Sequence, residues 1–132
     1  MAKAKVEPTR QVCDSVDQRE QFLCARCGKS IDGGSRHHRQ LRRFGDHSTA
    51  NLILLCGSGT TGCHGWVHSH VQRSYELGYL VHSWHLPENV PVRVFAPDLG
   101  AAWVLHDREG RRLMISDRDA LSTLVSLDII GS

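Results

Sequence analysis

Two pairs of cysteines constrain this chain more than any other feature. Cys24 and Cys27 stand in the run CARCG, and Cys56 and Cys63 bracket a glycine-rich loop in the run LILLCGSGTTGCHGWVHSH (52–70). A C-x-x-C followed by Gly28 permits a tight turn around a sulfur-bound ion, and thiolates from two such pairs complete the tetrahedron that Zn²⁺ prefers. The second pair, C-x6-C, is wider than the common zinc spacings, but glycines 57, 59 and 62 let the longer loop fold back through positive backbone angles. A chain of 132 residues, 40% apolar and 6% aromatic, suits one domain with a modest core that gains from metal reinforcement. Two other uses of the cysteines stay open: ordinary small core residues, or a redox pair at Cys24/Cys27. No thioredoxin-like pattern surrounds that pair. Cys13 lies outside both pairs and reads as a free thiol.

The loop GSGTTG also matches G-x-G-x-x-G, between a strand-like run and a segment that can open a helix, the order of a dinucleotide fingerprint. The match goes no further. A Walker-type loop ends in Gly-Lys-Ser/Thr, whereas Cys63 and His64 follow Gly62. A dinucleotide fold ends its second strand in Asp or Glu for the ribose, whereas the next strand-like run reads YLVHSWH.

Net charge is only +2, and its distribution carries the signal. Residues 21–97 hold 8 Lys/Arg against 4 Asp/Glu, while the tail from Asp98 holds 4 against 6. Six of the basic residues fall between Cys24 and Arg43, a local basic patch of the kind that meets phosphates. No apolar run approaches a membrane span, and no hydrophobic stretch follows the lysines of MAKAKVEPTR, so no membrane partner and no secretion signal are expected. A cytoplasmic location is expected, where five cysteines serve metals more readily than disulfides.

Along the chain, residues 1–20 form a flexible or helical arm, with VCDSVDQREQFL able to be helical. CARCG and IDGGS form a knuckle and a turn. RHHRQLRR is a strand or extended loop and ANLILL a strand. A helix is expected from Cys63 to Gly78, with Trp66, Val67, Val71, Ser74 and Leu77 or Tyr75 on its apolar side. YLVHSW, VPVRVF, AAWVLHD and RRLMIS are expected strands, the last two joined by a turn at Asp107–Gly110.

Histidines supply a second ligand set. His37 and His38 are adjacent, and His64 and His68 are four apart, so on a helix they share a face and can grip one ion. Imidazoles with open water positions make a reactive site, and they suit Ni²⁺, Mn²⁺ and Fe²⁺ as well as Zn²⁺. His47, His70, His82, His85 and His106 read as ordinary surface or core histidines.

The order CARC, RHHR, ANLILLC, GCHGWVH resembles the HNH endonucleases, and NLILLCGSGTTGCHGWVH with GYLV and VPVRV is similar to small HNH proteins of actinobacterial phages. The resemblance covers most of residues 21–110. It implies an α+β fold: a small ββα-metal (His-Me finger) core at 21–86, braced by a four-cysteine zinc site, with a C-terminal β-hairpin extension and tail at 87–132. It implies a metal-dependent DNA phosphodiester hydrolase, nicking or cutting both strands. His38 would be the general base and Asn51 would orient the loop and the base. His37, His64 and His68 would hold one catalytic divalent ion (Mg²⁺, Mn²⁺, Ni²⁺ or Zn²⁺), and Cys24, Cys27, Cys56 and Cys63 the structural Zn²⁺. Arg36, Arg39, Arg42 and Arg43 flank the histidines and suit phosphate oxygens. DNA is the expected partner, with phage terminase or other packaging proteins as further candidates and the host cytoplasm as the location if phage-encoded. The competing expectation is a non-catalytic zinc module that binds nucleic acid or a packaging partner.

Overall fold

The computed structural model describes residues 7–32 and 34–131. The first six residues of the arm and Gly33 of the IDGGS turn lie outside the described residues. Elements follow in the order α1 (Arg10–Arg19), β1 (Ser35–His38), β2 (Leu52–Leu55), α2 (Gly62–Ser69), α3 (Val71–Leu77), β3 (Val92–Ala96), β4 (Gly100–His106), β5 (Arg112–Ile115) and α4 (Asp117–Ser126). The described residues form a small mixed α+β domain with two antiparallel sheets, β1-β2 and β3-β4-β5.

The arm is anchored as a helix. Thr9 caps α1 by accepting the Val12 amide at 3.2 Å, the side-chain cap that satisfies an otherwise orphaned helix-start N–H. Val16 packs with Leu52 and Leu54 of β2. The opposite face of β2, Ile53 and Leu55, lies in the main core with Cys24, Ala25, Cys63, Val67, Tyr79, Leu80, Val92, Val94 and Val104. Burial of β2 on both faces explains why LILL reads as an unbroken apolar run instead of alternating. The C-terminal strands share this core with the cysteine segments, and Phe95 N–H donates to the Ala25 carbonyl at 2.7 Å. The meander turns at Asp107, whose Oδ1 accepts the amides of Glu109 and Arg111 at 2.9 and 2.8 Å. Ser116 caps α4 by accepting the Asp119 amide at 3.0 Å, and α4 buries Ala120 and Leu124 against Trp103 of β4.

The structure corrects two expected elements. The helix expected from 63 to 78 is two helices. His70 takes φ −127° and ψ 64°, and its Nδ1 lies 3.0 Å from the Trp66 carbonyl, on which Ser69 Oγ also donates at 3.1 Å. The His70 amide still closes the last turn of α2 on that carbonyl at 2.9 Å, and the break lies in the His70 backbone angles that follow it. Val71, expected on the apolar side, is exposed. YLVHSW is not a strand. Tyr79 and Leu80 amides are taken by the Ser74 carbonyl at the end of α3, and the Val81 amide by the Arg39 carbonyl, leaving no row of groups for a ladder.

Arg39 is a third correction. Expected to meet phosphate, it is fully buried. Its Nε donates to the Gly78 carbonyl at 2.7 Å, its Nη1 to Ala50 and Pro87 at 2.9 and 3.1 Å, and its Nη2 to Val90 at 2.7 Å. Burial lowers its pKa to about 9, which still leaves it cationic at neutral pH. It is a tie between four segments and cannot reach DNA.

Arg39→Met should destabilise the fold by about 3–5 kcal/mol in urea unfolding, because buried carbonyls lose their donors. Unchanged stability with weakened DNA binding would return Arg39 to a surface role.

Candidate metal centres

Ligand atoms of Cys24, Cys27, Cys56 and Cys63 all lie within 4.8 Å of one another. Cys27 Sγ and Cys56 Sγ are 3.9 Å apart, against an edge of about 3.8 Å for a tetrahedron with zinc–sulfur bonds of about 2.3 Å. The cluster could hold a metal ion such as zinc. Cys24 and Cys63 are buried, Cys56 half-buried and Cys27 exposed, so the site sits at the rim of the core.

The glycine loop serves this cluster. Gly57 and Gly62 have φ of 83° and 62°. A Cβ at Gly57 would run into the Thr61 main chain, and one at Gly62 into the Cys56 carbonyl. The reversed loop sends the Cys63 amide to Cys56 Sγ at 3.4 Å and the His64 amide to the Cys56 carbonyl at 3.0 Å. Burial works against ionisation of Cys56, but the Cys63 amide and the neighbouring thiols outweigh it and hold its pKa below the usual value. Burial pushes Cys63 up to about 12 against the pull of Arg26, and Cys24 upward as well. Such thiols surrender their protons to a dication rather than to water, so binding releases protons and strengthens with pH.

Arg26, a position sequence reasoning passed over, donates from Nη1 to Cys63 Sγ at 3.4 Å. Its guanidinium carbon lies 3.7 Å over the Trp66 ring, whose stacking partner is His70 at 4.3 Å. A cation held against a thiolate cluster offsets its negative charge, the kind of outer contact that tunes a metal site.

The second cluster is made of imidazoles. Ligand nitrogens of His37, His64 and His68 lie within 4.8 Å of one another, with ring centroids 4.9–5.5 Å apart. β1 supplies His37, and one face of α2 supplies His64 and His68. His37 Nε2 lies 2.7 Å from the Tyr79 carbonyl. A carbonyl only accepts, so Nε2 carries the proton and Nδ1 keeps its lone pair for coordination, the orientation that second contacts give metal-binding histidines. The Nδ1 of His64 is buried without a hydrogen-bond partner, which leaves it free to coordinate. Burial lowers the pKa of His37 to about 3 and that of His64 below its usual value. Both imidazoles are therefore neutral, as ligands must be, at neutral pH.

His38 stands beside this cluster and outside it. With Arg36, His37, Leu41, Arg42, His64 and His68 it lines a cavity of about 240 Å³. Its Nε2 lies 3.0 Å from His47 Nδ1, the rings perpendicular. His47, read from sequence as an ordinary histidine, therefore touches the site. Burial first, then Arg42 and His47, lowers the His38 pKa to about 4. Asn51 is fully buried. Its Oδ1 accepts the Gln40 amide at 2.7 Å, and its Nδ2 donates to the carbonyls of Gln40 and Asp46 at 2.9 and 2.8 Å. The side chain closes the loop 41–50 onto the residue that follows Arg39, fixing the end of β1.

Three expected phosphate ligands remain near the surface, each with a partner. Arg36 grips Asp17 through two bonds, Nε to Oδ1 at 3.0 Å and Nη2 to Oδ2 at 2.6 Å. Arg42 pairs with Glu7 at 2.7 Å. Arg43 packs its guanidinium over Phe44. Comparison of the chain with protein families, with curated proteins and with solved structures found no match.

Elemental analysis of protein purified without added metal should find about one zinc per chain. Cys56→Ser should lose that zinc and lower the melting temperature or precipitate the protein, because zinc binding is folding free energy in a small metal domain. A soluble Cys56→Ser protein with an unchanged melting curve would count against a structural role for the cluster.

Proposed function

We propose that this chain is a metal-dependent endonuclease of the HNH, ββα-metal type, hydrolysing DNA phosphodiester bonds. One observation carries the proposal: His37 from β1 converges with His64 and His68 from α2, while His38 lines the same cavity with a separate hydrogen-bond partner. Three imidazoles able to hold an ion, with a fourth outside the cluster, suit metal-assisted hydrolysis with a separate base. The succession β1, β2, α2 supports that reading, and the cysteine cluster lies toward the end of the hairpin remote from His38.

His38 acts on water. In the tautomer whose Nε2–H donates to His47 Nδ1, the His38 Nδ1 keeps a lone pair that removes a proton from the attacking water. A neighbouring phosphate, being negative, raises the pKa of His38 from its low value toward neutrality. His37, His64 and His68 would hold a divalent ion, which when bound would supply Lewis-acid charge for hydrolysis of the phosphodiester. Arg42 and Arg43 lie on the loop after β1, where their charge meets the flanking phosphates. Contacts of that kind are salt-sensitive and carry little base information. Asn51 acts through the loop it closes and touches no reacting atom.

Zinc-loaded protein should nick supercoiled plasmid when Mg²⁺, Mn²⁺ or Ni²⁺ is added. His38→Ala should lower the nicking rate by roughly 10²–10⁴-fold while keeping the zinc and the melting temperature. Cleavage at the normal rate would remove His38 from the chemistry. A wild-type protein that binds DNA and never cuts it under any of these ions would instead support a non-catalytic zinc module.

A further inference from the structure

Three aromatic rings near the end of β1 are stacked like consecutive bases. The Tyr75 and His82 rings are 3.8 Å apart and 6° from parallel. The His82 and Trp84 rings are 4.4 Å apart and 8° from parallel. Trp84 ends the stack and is 73% exposed. Single exposed hydrophobic residues are common, but an exposed indole that extends an ordered face-to-face stack is not a scattered residue.

The stack is fixed before any ligand arrives. Gln40 Nε2 donates to the carbonyls of both His82 and His85 at 2.9 Å, and the His85 amide closes the turn on the His82 carbonyl at 3.1 Å. Gln40 is buried, and Asn51 holds its main chain on both sides. Gln40 follows His38 by two residues, so the turn that carries Trp84 is fastened to the strand that carries the base. Arg42 and Arg43 follow Gln40 on the next loop, Arg42 paired with Glu7 at 2.7 Å. Leu41 and Phe44, both exposed, flank Arg42 and Arg43 on the same loop. The nearby carboxylates are engaged within the protein: Glu76 with Arg73 at 3.0 Å, and Glu88 with Arg108 at 3.7 Å.

We propose that the open face of Trp84 receives an unpaired nucleobase, so that this chain favours DNA with single-stranded character. The inference rests on DNA being the substrate and adds which form of DNA is preferred. A flat π face at the end of a rigid stack takes any base, since every base has such a face, and basic side chains of the loop that follows Gln40 suit the sugar–phosphate strand. A paired base is already stacked inside its duplex and cannot reach the indole without leaving it.

The test measures binding of zinc-loaded, full-length protein to a labelled oligo-dT and to an equally long strand carrying abasic sites, with no second divalent ion added. Wild type should bind oligo-dT more tightly than the abasic strand. Trp84→Ala should lose about tenfold on oligo-dT and bind the two strands alike, and Trp84→Phe should recover most of the preference. Equal losses on both strands, or no loss on oligo-dT, would overturn the proposal. A wild type that nicks plasmid yet shows no preference for bases sinks the stacking site alone, whereas one that binds neither strand nor plasmid sinks the endonuclease proposal with it.

Discussion

A buried guanidinium ties together the segments around the imidazole cluster. Arg39 has no access to water and donates to main-chain carbonyls from the loop before β2, the end of α3, and the stretch between α3 and β3. Its own amide meets the Asn51 carbonyl, and its carbonyl receives the Val81 amide. A cation taken out of water is tolerated only when such partners surround it. The consequence is positional: the residues just before Arg39 are His37 and His38, so the tie that satisfies the arginine also anchors the main chain that carries both imidazoles. Tyr79, whose carbonyl orients His37, belongs to the stretch that Arg39 secures through Gly78 and Val81.

The two ends of the β1-β2 hairpin are therefore held by different chemistry. Near Ser35 and Leu55 the thiols of Cys24, Cys27, Cys56 and Cys63 gather, with Arg26 against one sulfur. Near His38 and Leu52 the hold is hydrogen-bonded, through Arg39, Gln40 and Asn51. Sulfur at one end and nitrogen at the other sorts ions by softness: thiolates suit zinc, whereas imidazoles accept several divalent ions and leave positions for water. The low pKa values of His37 and His64 follow from burial and keep the nitrogen end ready for a cation without a competing proton.

Features that depend on short spacings were legible in the sequence. The cysteine pairs, the His64/His68 face, the strand at LILL and the turn at Asp107–Gly110 are local patterns, and the structure brings the four cysteines together as their spacing suggested. Features that depend on main-chain acceptors from distant segments were not legible. Arg39 looks like its exposed neighbours Arg42 and Arg43 until the carbonyls of Gly78 and Val90 are placed around it. His47 and Arg26 gain their roles from partners on other segments, His38 and Cys63, that no periodicity reveals. The break at His70 is a change of backbone angles at one residue, against an apolar pattern that runs straight through it. YLVHSW has strand composition, but its amides are spent on α3 and Arg39.

The thiol cluster and the imidazole cluster flank one hairpin, and each could hold its own metal ion. Element-specific X-ray absorption tests it most directly, on protein purified with its own zinc and then supplied with one equivalent of Ni²⁺ or Mn²⁺. The zinc edge should report sulfur neighbours alone at about 2.3 Å, and the edge of the added metal should report nitrogen and oxygen alone. Sulfur around the added metal, or a mixture of sulfur and nitrogen around the zinc, would mean one shared centre and would contradict the account.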